Sequence, residues 1–220
     1  MTKAEVLEWL RRKGTKKTLA AMPRYGLVAS RAFGVPVGTL LALKKKIGID
    51  HPLANELWES GWYEGRLFAA LIGDPAQVTR GEMDRWARRF ENWGDVDTDC
   101  FKLWDRSPHA WGKGVQWARS DRVWVKRAGF VLMASLALHD KNAPDSAFHP
   151  FLKAIEIGAK DDRNFVKKGV SWALRSIGRR PGLRRRAIAV AARLTRSEVP
   201  EAAWVGRDAK RDLGKATCTR

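Results

Sequence analysis

WYEGRLFAALIG, residues 62–73, is one of three related segments in this chain. The others are VWVKRAGFVLMA at 123–134 and NFVKKGVSWALR at 164–175. Each begins near an aromatic residue, continues through charged and small residues, and runs into an apolar helix. Aligning Arg66, Arg127 and Lys168 separates them by 61 and 41 residues. HEAT-class repeats contain two helices in about 40 residues, so the longer gap predicts an extra, less regular unit.

The rest of the chain carries helix signals and few strand signals. Thr2 and Glu5 form a capping-box pattern, and Pro36 and Gly48 flank an apolar segment as a helix start and stop. Apolar residues recur at helical spacing, and Pro181 begins a late helix. They include Met83, Trp86 and Phe90, and then Val96, Cys100, Leu103 and Trp104. We therefore predict an all-α fold with roughly a dozen helices, arranged as a curved solenoid of HEAT-like repeats (an α-α superhelix). No linker-like segment divides the chain, so residues 1–220 are predicted to form a single domain.

The chain is strongly basic. Its 42 Lys and Arg residues outnumber 24 Asp and Glu residues, which gives a formal net charge of +18. Such an excess indicates a polyanionic partner, most often nucleic acid. The basic residues occur in runs at 11–17, 44–46, 88–93, 167–168, 179–186 and 206–211. One run alone is usually a solvated face, but several on one curved surface predict a phosphate-binding track whose affinity falls steeply with salt. Arg184, Arg185 and Arg186 at a helix start are its strongest candidates, and Lys44 and Lys168 are weaker ones.

Several classes of site and location are disfavoured. Cys100 and Cys218 are too far apart in sequence for a metal-ligand motif, and the four histidines are scattered. We therefore predict no metal and no cofactor. No apolar run approaches the roughly 20 residues that span a bilayer, and the first residues lack a signal-peptide core. A cytoplasmic protein without membrane contact is expected, with a monomer as the default.

The segment NWGDVDTDCF, residues 92–101, concentrates three aspartates in this basic chain. They are either helix-start and surface residues, or one of them lies beside Trp93 for chemistry. Asp95 fits the role of a helix cap and Asp99 that of a solvated surface residue. Most of the 11 tryptophans must be structural. Trp58, Trp86, Trp104 and Trp204 are predicted to pack in the core.

Five blocks in order resemble a known family. They are MPRYG (22–26), FGVPVGTLLALKKK (33–46), NWGDVD (92–97), SDRVWVKRA (120–128) and FVKKGVSWALR (165–175). The chain resembles the bacterial DNA alkylation repair enzymes of the AlkD-like type, which are HEAT-like-repeat DNA glycosylases. The resemblance implies a partner, double-stranded DNA containing alkylated bases, and excision of alkylated purines by hydrolysis of the bond between base and deoxyribose.

The resemblance also implies roles for particular residues. The motif tryptophan and the catalytic aspartate four residues later map onto Trp93 and Asp97. The second aromatic of the site maps onto Trp172, which is expected to face them from a later repeat. The DNA-contacting arginine maps onto Arg127, although an arginine there could instead pair with an acidic neighbour, and the early tyrosine is Tyr25. Two departures are Asn92, where the family commonly has an aromatic, and Gly94, where it often has an acidic or polar residue.

The implied chemistry is simple. A purine alkylated at ring position 3 or 7 is cationic and leaves as a neutral base, so no general acid is needed. One carboxylate, Asp97, can stabilise the growing positive charge on the sugar and position the attacking water. Trp93 and Trp172 would favour a cation. A non-catalytic repeat protein that binds distorted or branched DNA is the alternative. A protein-interaction scaffold is a third possibility, disfavoured by the charge.

Overall fold

The computed structural model describes residues 1–215, which form thirteen α-helices and four short 3-10 helices, with no β-strand in this part of the chain. The described residues divide into two compact units, 1–108 and 109 onward. The first unit contains α1 (Lys3–Lys13), α2 (Lys16–Ala21), α3 (Val37–Ile47), α4 (His51–Glu59), α5 (Tyr63–Ile72), α6 (Arg80–Ala87) and α7 (Trp93–Lys102). The second contains α8 (Ala110–Trp117), α9 (Val123–His139), α10 (His149–Gly158), α11 (Asn164–Gly178), α12 (Arg184–Thr195) and α13 (Pro200–Lys215). The all-helical prediction is confirmed.

A tryptophan core holds the first unit together. Helix α5 packs on α4 and on α7. Trp58 of α4 stacks on Trp86 of α6 with ring centroids 4.4 Å apart and planes at 8°. Trp104, just after α7, lies 6.2 Å from Trp86, and all three tryptophans are fully buried. The predicted packing role of these three is confirmed.

The second unit consists of three helix pairs, α8 with α9, α10 with α11, and α12 with α13. Helices α9, α11 and α13 pack side by side in that order, and α10 contacts both α8 and α12. This is the two-layer arrangement of HEAT-like repeats. Trp204 of α13, predicted to pack in the core, is only half-buried, with Lys167 Nζ 5.2 Å from its ring centre.

The three related segments correspond to α5, α9 and α11. Between α5 and α9 the chain adds α6 and α7, which are the extra unit that the longer gap predicted. Copies of one segment therefore form the second helix of three helix pairs, α4 with α5, α8 with α9 and α10 with α11. The segment NWGDVDTDCF supplies the N-cap and all but the last residue of α7, in the inserted unit.

The predicted helix boundaries agree with the structure to within three residues. Thr2 and Glu5 form the capping box, with Thr2 N–H donating to the Glu5 carboxylate at 2.8 Å. Pro36 is the N-cap of α3 and not its first residue, and Gly48 ends that helix with φ of 79°. Pro181 begins a 3-10 turn immediately before α12. Cys100 is buried on α7, whereas Cys218 lies outside the described residues.

Even α9, the longest helix, does not have the length and apolar character that a bilayer span requires, and the same is true of every other described helix.

Candidate functional site

Helix α7 begins at an asparagine cap. The Asn92 side-chain oxygen accepts hydrogen bonds from the backbone N–H groups of Gly94 at 2.8 Å and Asp95 at 3.2 Å. Its Nδ2 donates to the Val28 carbonyl at 3.1 Å. The prediction that Asp95 caps this helix is therefore wrong: Asn92 has the extended backbone of an N-cap, and Asp95 is already inside the helix. The residue that departs from the family pattern thus satisfies two backbone donors at the helix start.

The aspartates of α7 lie on different faces. Asp95 and Asp99 are completely buried, next to Val96 and Cys100 on the same face. Asp97 and Trp93, one turn apart, are half-buried. The prediction that Asp99 is a surface residue is wrong, because it falls in phase with the apolar stripe of the helix. Of the three aspartates in this segment, Asp97 alone reaches solvent.

The buried carboxyl groups have altered acidity. Burial raises the pKa of Asp95 to about 6, against the opposing effects of the Glu91 backbone N–H and the charge of Arg66. Burial, and next the neighbouring carboxylate of Asp95, raise the pKa of Asp99 well above its usual value. Both Asp99 carboxyl oxygens are buried without a hydrogen-bond partner among the described residues. The neutral acid is therefore favoured at Asp99.

Replacing Asp95 by asparagine should alter how stability depends on pH. Between pH 3.8, the ordinary value, and about 6, the folded protein retains a proton on Asp95 that the unfolded chain has lost. The free energy of unfolding of the wild type should therefore fall as pH rises through this window, by about 3 kcal/mol relative to Asp95→Asn. Urea unfolding of both proteins at pH 4, 5, 6 and 7 measures the difference. Parallel curves would contradict the prediction.

A buried arginine connects α5 to the start of α7. Arg66 Nη1 donates to the Arg89 carbonyl at 3.1 Å and lies 3.5 Å from Asp95 Oδ2, while its Nη2 lies 3.1 Å from Glu91 Oε1. Asp95 Oδ2 also accepts the Glu91 backbone N–H at 3.1 Å. Burial raises the pKa of Glu91, but hydrogen bonds from Ser30 and the charge of Arg66 together lower it below its usual value. These contacts fix the chain between α6 and α7.

The segment 22–36, which contains the first block of the family pattern and the beginning of the second, is held by carboxylates of α5 and of the chain just before α7. The buried Glu64 side chain accepts the backbone N–H groups of Phe33, Gly34 and Val35 at 2.7–3.1 Å. Glu91 accepts the N–H of Ser30 at 2.6 Å. Each carboxylate therefore accepts backbone N–H groups that have no regular helical partner in this irregular segment.

This anchoring brings Tyr25 next to the α7 pair. Trp93 Nε1 donates to the Tyr25 carbonyl at 2.9 Å, and the Tyr25 side chain is 70% exposed. Trp93, Asp97 and Tyr25 thus form one partly exposed cluster within the first unit, in which the Trp93 indole contacts the Tyr25 backbone. Such a cluster combines an aromatic surface for a base or a sugar with one negative charge.

Two further candidates lie on packed helices of the second unit. Arg127 of α9 is 6% exposed, and its Nη1 donates to the Phe165 carbonyl in the first turn of α11 at 2.8 Å. Trp172 of α11 is half-buried. Arg127 therefore has a structural hydrogen bond whatever else it contacts. Its predicted DNA contact, and the predicted placement of Trp172 opposite Trp93 and Asp97, remain predictions.

The basic candidates differ in their surroundings. Lys168 and Arg185 are exposed, whereas Lys44 is half-buried. Arg184 Nη2 donates to the Leu213 carbonyl at 2.5 Å, and Arg186 Nη1 lies 2.8 Å from His149 Nε2. Lys168 and Arg185 can therefore meet a phosphate without breaking any of these contacts. Within residues 1–215, no group of three or more His, Cys, Asp or Glu side chains is placed to hold a metal ion.

Sequence reasoning missed the residues that build this site. Glu64 was not singled out, and Arg66 was treated only as a marker of the repeat. Both are charged residues within the apolar segment 62–73. A charged side chain in such a segment is buried only when it has a hydrogen-bond or ion-pair partner. That signal was available in the sequence, although the identity of the partners was not.

Comparisons with known proteins agree with this architecture. The family model described as "DNA alkylation repair enzyme" matches residues 6–204. A solved structure from "a new family of proteins related to the HEAT-like repeat DNA glycosylases with affinity for branched DNA structures" is similar to this chain with a TM-score of 0.81 and 21% identity. The match covers 98% of this chain and 95% of that one, and at this identity it shows the fold. No protein with a curated description matches the sequence significantly.

Proposed function

Because the chain belongs to the DNA alkylation repair enzyme family, we propose that it is a monofunctional DNA glycosylase for purines alkylated at ring position 3 or 7. Its substrate is double-stranded DNA, and the reaction is hydrolysis of the bond between base and deoxyribose. The observation that carries the proposal is the Trp93–Asp97 pair, one turn apart on α7 and both partly exposed.

The reaction requires few catalytic groups besides this pair. The alkylated purine is a good leaving group because it departs neutral, so one carboxylate replaces the two of sugar hydrolases. Positive charge grows on the deoxyribose as the bond breaks, and the Asp97 carboxylate stabilises it and orients the attacking water. An indole adjacent to a cation contributes about 0.5–2 kcal/mol. The pair therefore favours the charged lesion over an undamaged purine.

The surroundings of α7 support a catalytic carboxylate. Asp99 favours its neutral form and Asp95 is paired with Arg66, so neither adds an unbalanced charge beside Asp97. The net charge of +18 attracts the DNA backbone to a site that itself carries an anion. The exposed Lys168 and Arg185 are candidates for phosphate contacts.

A second function is a non-catalytic protein that binds branched DNA. The observation in its favour is the structural relative, whose family is described as having affinity for branched DNA structures. The cluster of Trp93, Tyr25 and Asp97 could then serve as a stacking surface for an unpaired base. In that case the carboxylate would have no chemical role.

One assay separates the two functions. The purified chain is incubated with a duplex containing 7-methylguanine and with the same duplex unmethylated, and released base is measured by chromatography. We expect release from the methylated duplex alone, with strand breaks appearing only after alkali. Binding to a four-way junction and to a linear duplex of equal length is measured in parallel. Absence of release together with tighter junction binding would favour the second function.

A further inference from the structure

The irregular segment between α2 and α3 is attached to the start of α7 at three points. Three consecutive residues, 91–93, each hydrogen-bond to its backbone at a different place. The backbone groups that they bind belong to Ser30, Val28 and Tyr25, at 2.6, 3.1 and 2.9 Å respectively. We call residues 25–31 the anchored loop. Because these contacts use no side chain of the loop, they fix its path and leave its surface chemistry to other partners.

The anchored loop exposes two large side chains beside the proposed catalytic pair. Tyr25 is 70% exposed and Val28 is 69% exposed. One exposed apolar side chain needs no explanation, but these two lie three residues apart on a backbone that is hydrogen-bonded at both positions. The loop therefore presents a fixed and partly apolar surface next to Trp93.

Arg31, at the end of the anchored loop, is held by an aromatic stack. The Phe33 ring stacks on the Trp62 indole with ring centroids 3.8 Å apart and planes at 13°. The Arg31 guanidinium carbon lies 4.4 Å from the centre of the same indole, and it covers the opposite face because Phe33 already fills one face. Arg31 is exposed, and within residues 1–215 no carboxylate pairs with its guanidinium. An exposed cation is thus held in a defined orientation.

The backbone of Arg31 lies close to the first turn of α7. Its carbonyl accepts the N–H of Tyr63 at 2.8 Å, and a Cβ atom built on Gly94 would collide with the Tyr63 hydroxyl. A single tyrosine therefore separates the Arg31 backbone from the turn that contains Trp93. Since every nucleotide of a strand carries a phosphate, a strand with one nucleotide at Trp93 and Asp97 also brings phosphates close to Arg31.

We propose that the anchored loop is a DNA-binding element, in which Arg31 binds a backbone phosphate and Val28 packs against a nucleotide whose stacking is disturbed. The proposal rests on the proposed function for the position of the lesion at Trp93 and Asp97. A guanidinium already held on a ring loses little freedom when it binds phosphate. An apolar side chain on a fixed backbone gains by burial against an exposed base or sugar. The phosphate is the same in every duplex, whereas a base face is accessible only where stacking is disturbed.

The phosphate contact is tested by the salt dependence of DNA binding. Affinities are measured by fluorescence anisotropy in an Asp97→Asn background, so that the DNA stays intact. Arg31→Gln should weaken binding to methylated and unmethylated duplexes equally, and should lower the slope of log affinity against log salt by about one. Arg80→Gln is the matched control, because it removes the same charge from an exposed position at the start of α6. Equal slopes in the two variants would overturn the phosphate contact.

The nucleotide contact is tested with two duplexes, one fully paired and one with 7-methylguanine opposite thymine. Val28→Ser should weaken binding to the mispaired duplex about fivefold and to the paired duplex less than about twofold. Ile49→Ser is the control: Ile49 is 57% exposed and precedes Asp50, whose N–H donates to the carbonyl of Ile72, at the end of α5 opposite to Tyr63. Equal losses for the two duplexes, or losses no greater than in Ile49→Ser, would overturn the nucleotide contact.

The proposal stands only if both loop variants differ from their controls, and these results are independent of base release. A wild type that releases no base, with both loop variants weaker than their controls, would reject the glycosylase and leave the anchored loop as a DNA-binding element. Base release by the wild type, with both loop variants binding like their controls, would reject the role of the loop and leave the glycosylase in place.

Discussion

Replacing Asp97 by asparagine is expected to lower the rate of base release from methylated DNA about a thousandfold. Asparagine preserves the shape of the side chain but removes the charge that opposes the cationic sugar and orients water. DNA affinity should stay the same or rise slightly, because one negative charge near the phosphates is removed. Single-turnover release of 7-methylguanine at saturating protein isolates the chemical step from binding.

The same substitution two residues away is the matched control. Asp99 is fully buried, and its neutral acid form is favoured, so asparagine there reproduces its shape and its lack of charge. Asp99→Asn should retain activity within about threefold, since no charge is lost at neutral pH. If Asp97→Asn matches the wild type, the proposed mechanism is rejected. Equal losses in the two variants would mean that the asparagine substitution perturbs α7 itself.

The different roles of the aspartates show where prediction from sequence succeeds and where it stops. Helix periodicity and caps are local, so the helices of the repeat and the one-turn spacing of Trp93 and Asp97 could be predicted. The burial of Asp95 and Asp99 was also encoded, because both lie in phase with Val96 and Cys100. The surface prediction for Asp99 was wrong because a charged residue was expected to lie at the surface.

The partners that permit the burial of Asp95 are tertiary and could not be predicted. Arg66 and Arg127 occupy matching positions of the repeated segment. Arg66 donates to the Arg89 carbonyl between α6 and α7, and Arg127 donates to the Phe165 carbonyl in the first turn of α11. Lys168, at the third matching position, is exposed. A basic residue at this position therefore does not by itself indicate a DNA contact. Whether it faces a carbonyl or solvent depends on the next repeat, which periodicity does not describe.

Arg66→Met should be the most destabilising of these substitutions. Methionine can retain much of the apolar packing of the arginine stem, whose guanidinium lies 5.3 Å from the Trp58 ring centre. It leaves Asp95, which is fully buried, and Glu91, which is 27% exposed, without their cation. Removing one partner of a buried ion pair costs about 3–5 kcal/mol, because the remaining charge is neither solvated nor paired. Urea unfolding at pH 7, where Asp95 of the wild type is ionised and Asp95 of the variant must stay charged without Arg66 or take up a proton, measures the loss in the free energy of unfolding.

The cause of this loss can be separated from a simple loss of contacts. Arg85 pairs with Glu59 at the surface, where the two side chains are 48% and 45% exposed, so Arg85→Met should cost at most about 1 kcal/mol. Combining Arg66→Met with Glu91→Gln and Asp95→Asn removes the stranded charges and should recover a large part of the stability. A loss at Arg66 no greater than at Arg85, or no recovery in the triple variant, would show that packing and not charge holds the start of α7. Recovery of stability without recovery of base release would in turn show that the ion network sets the position of Trp93 and Asp97, and does not merely keep the unit folded.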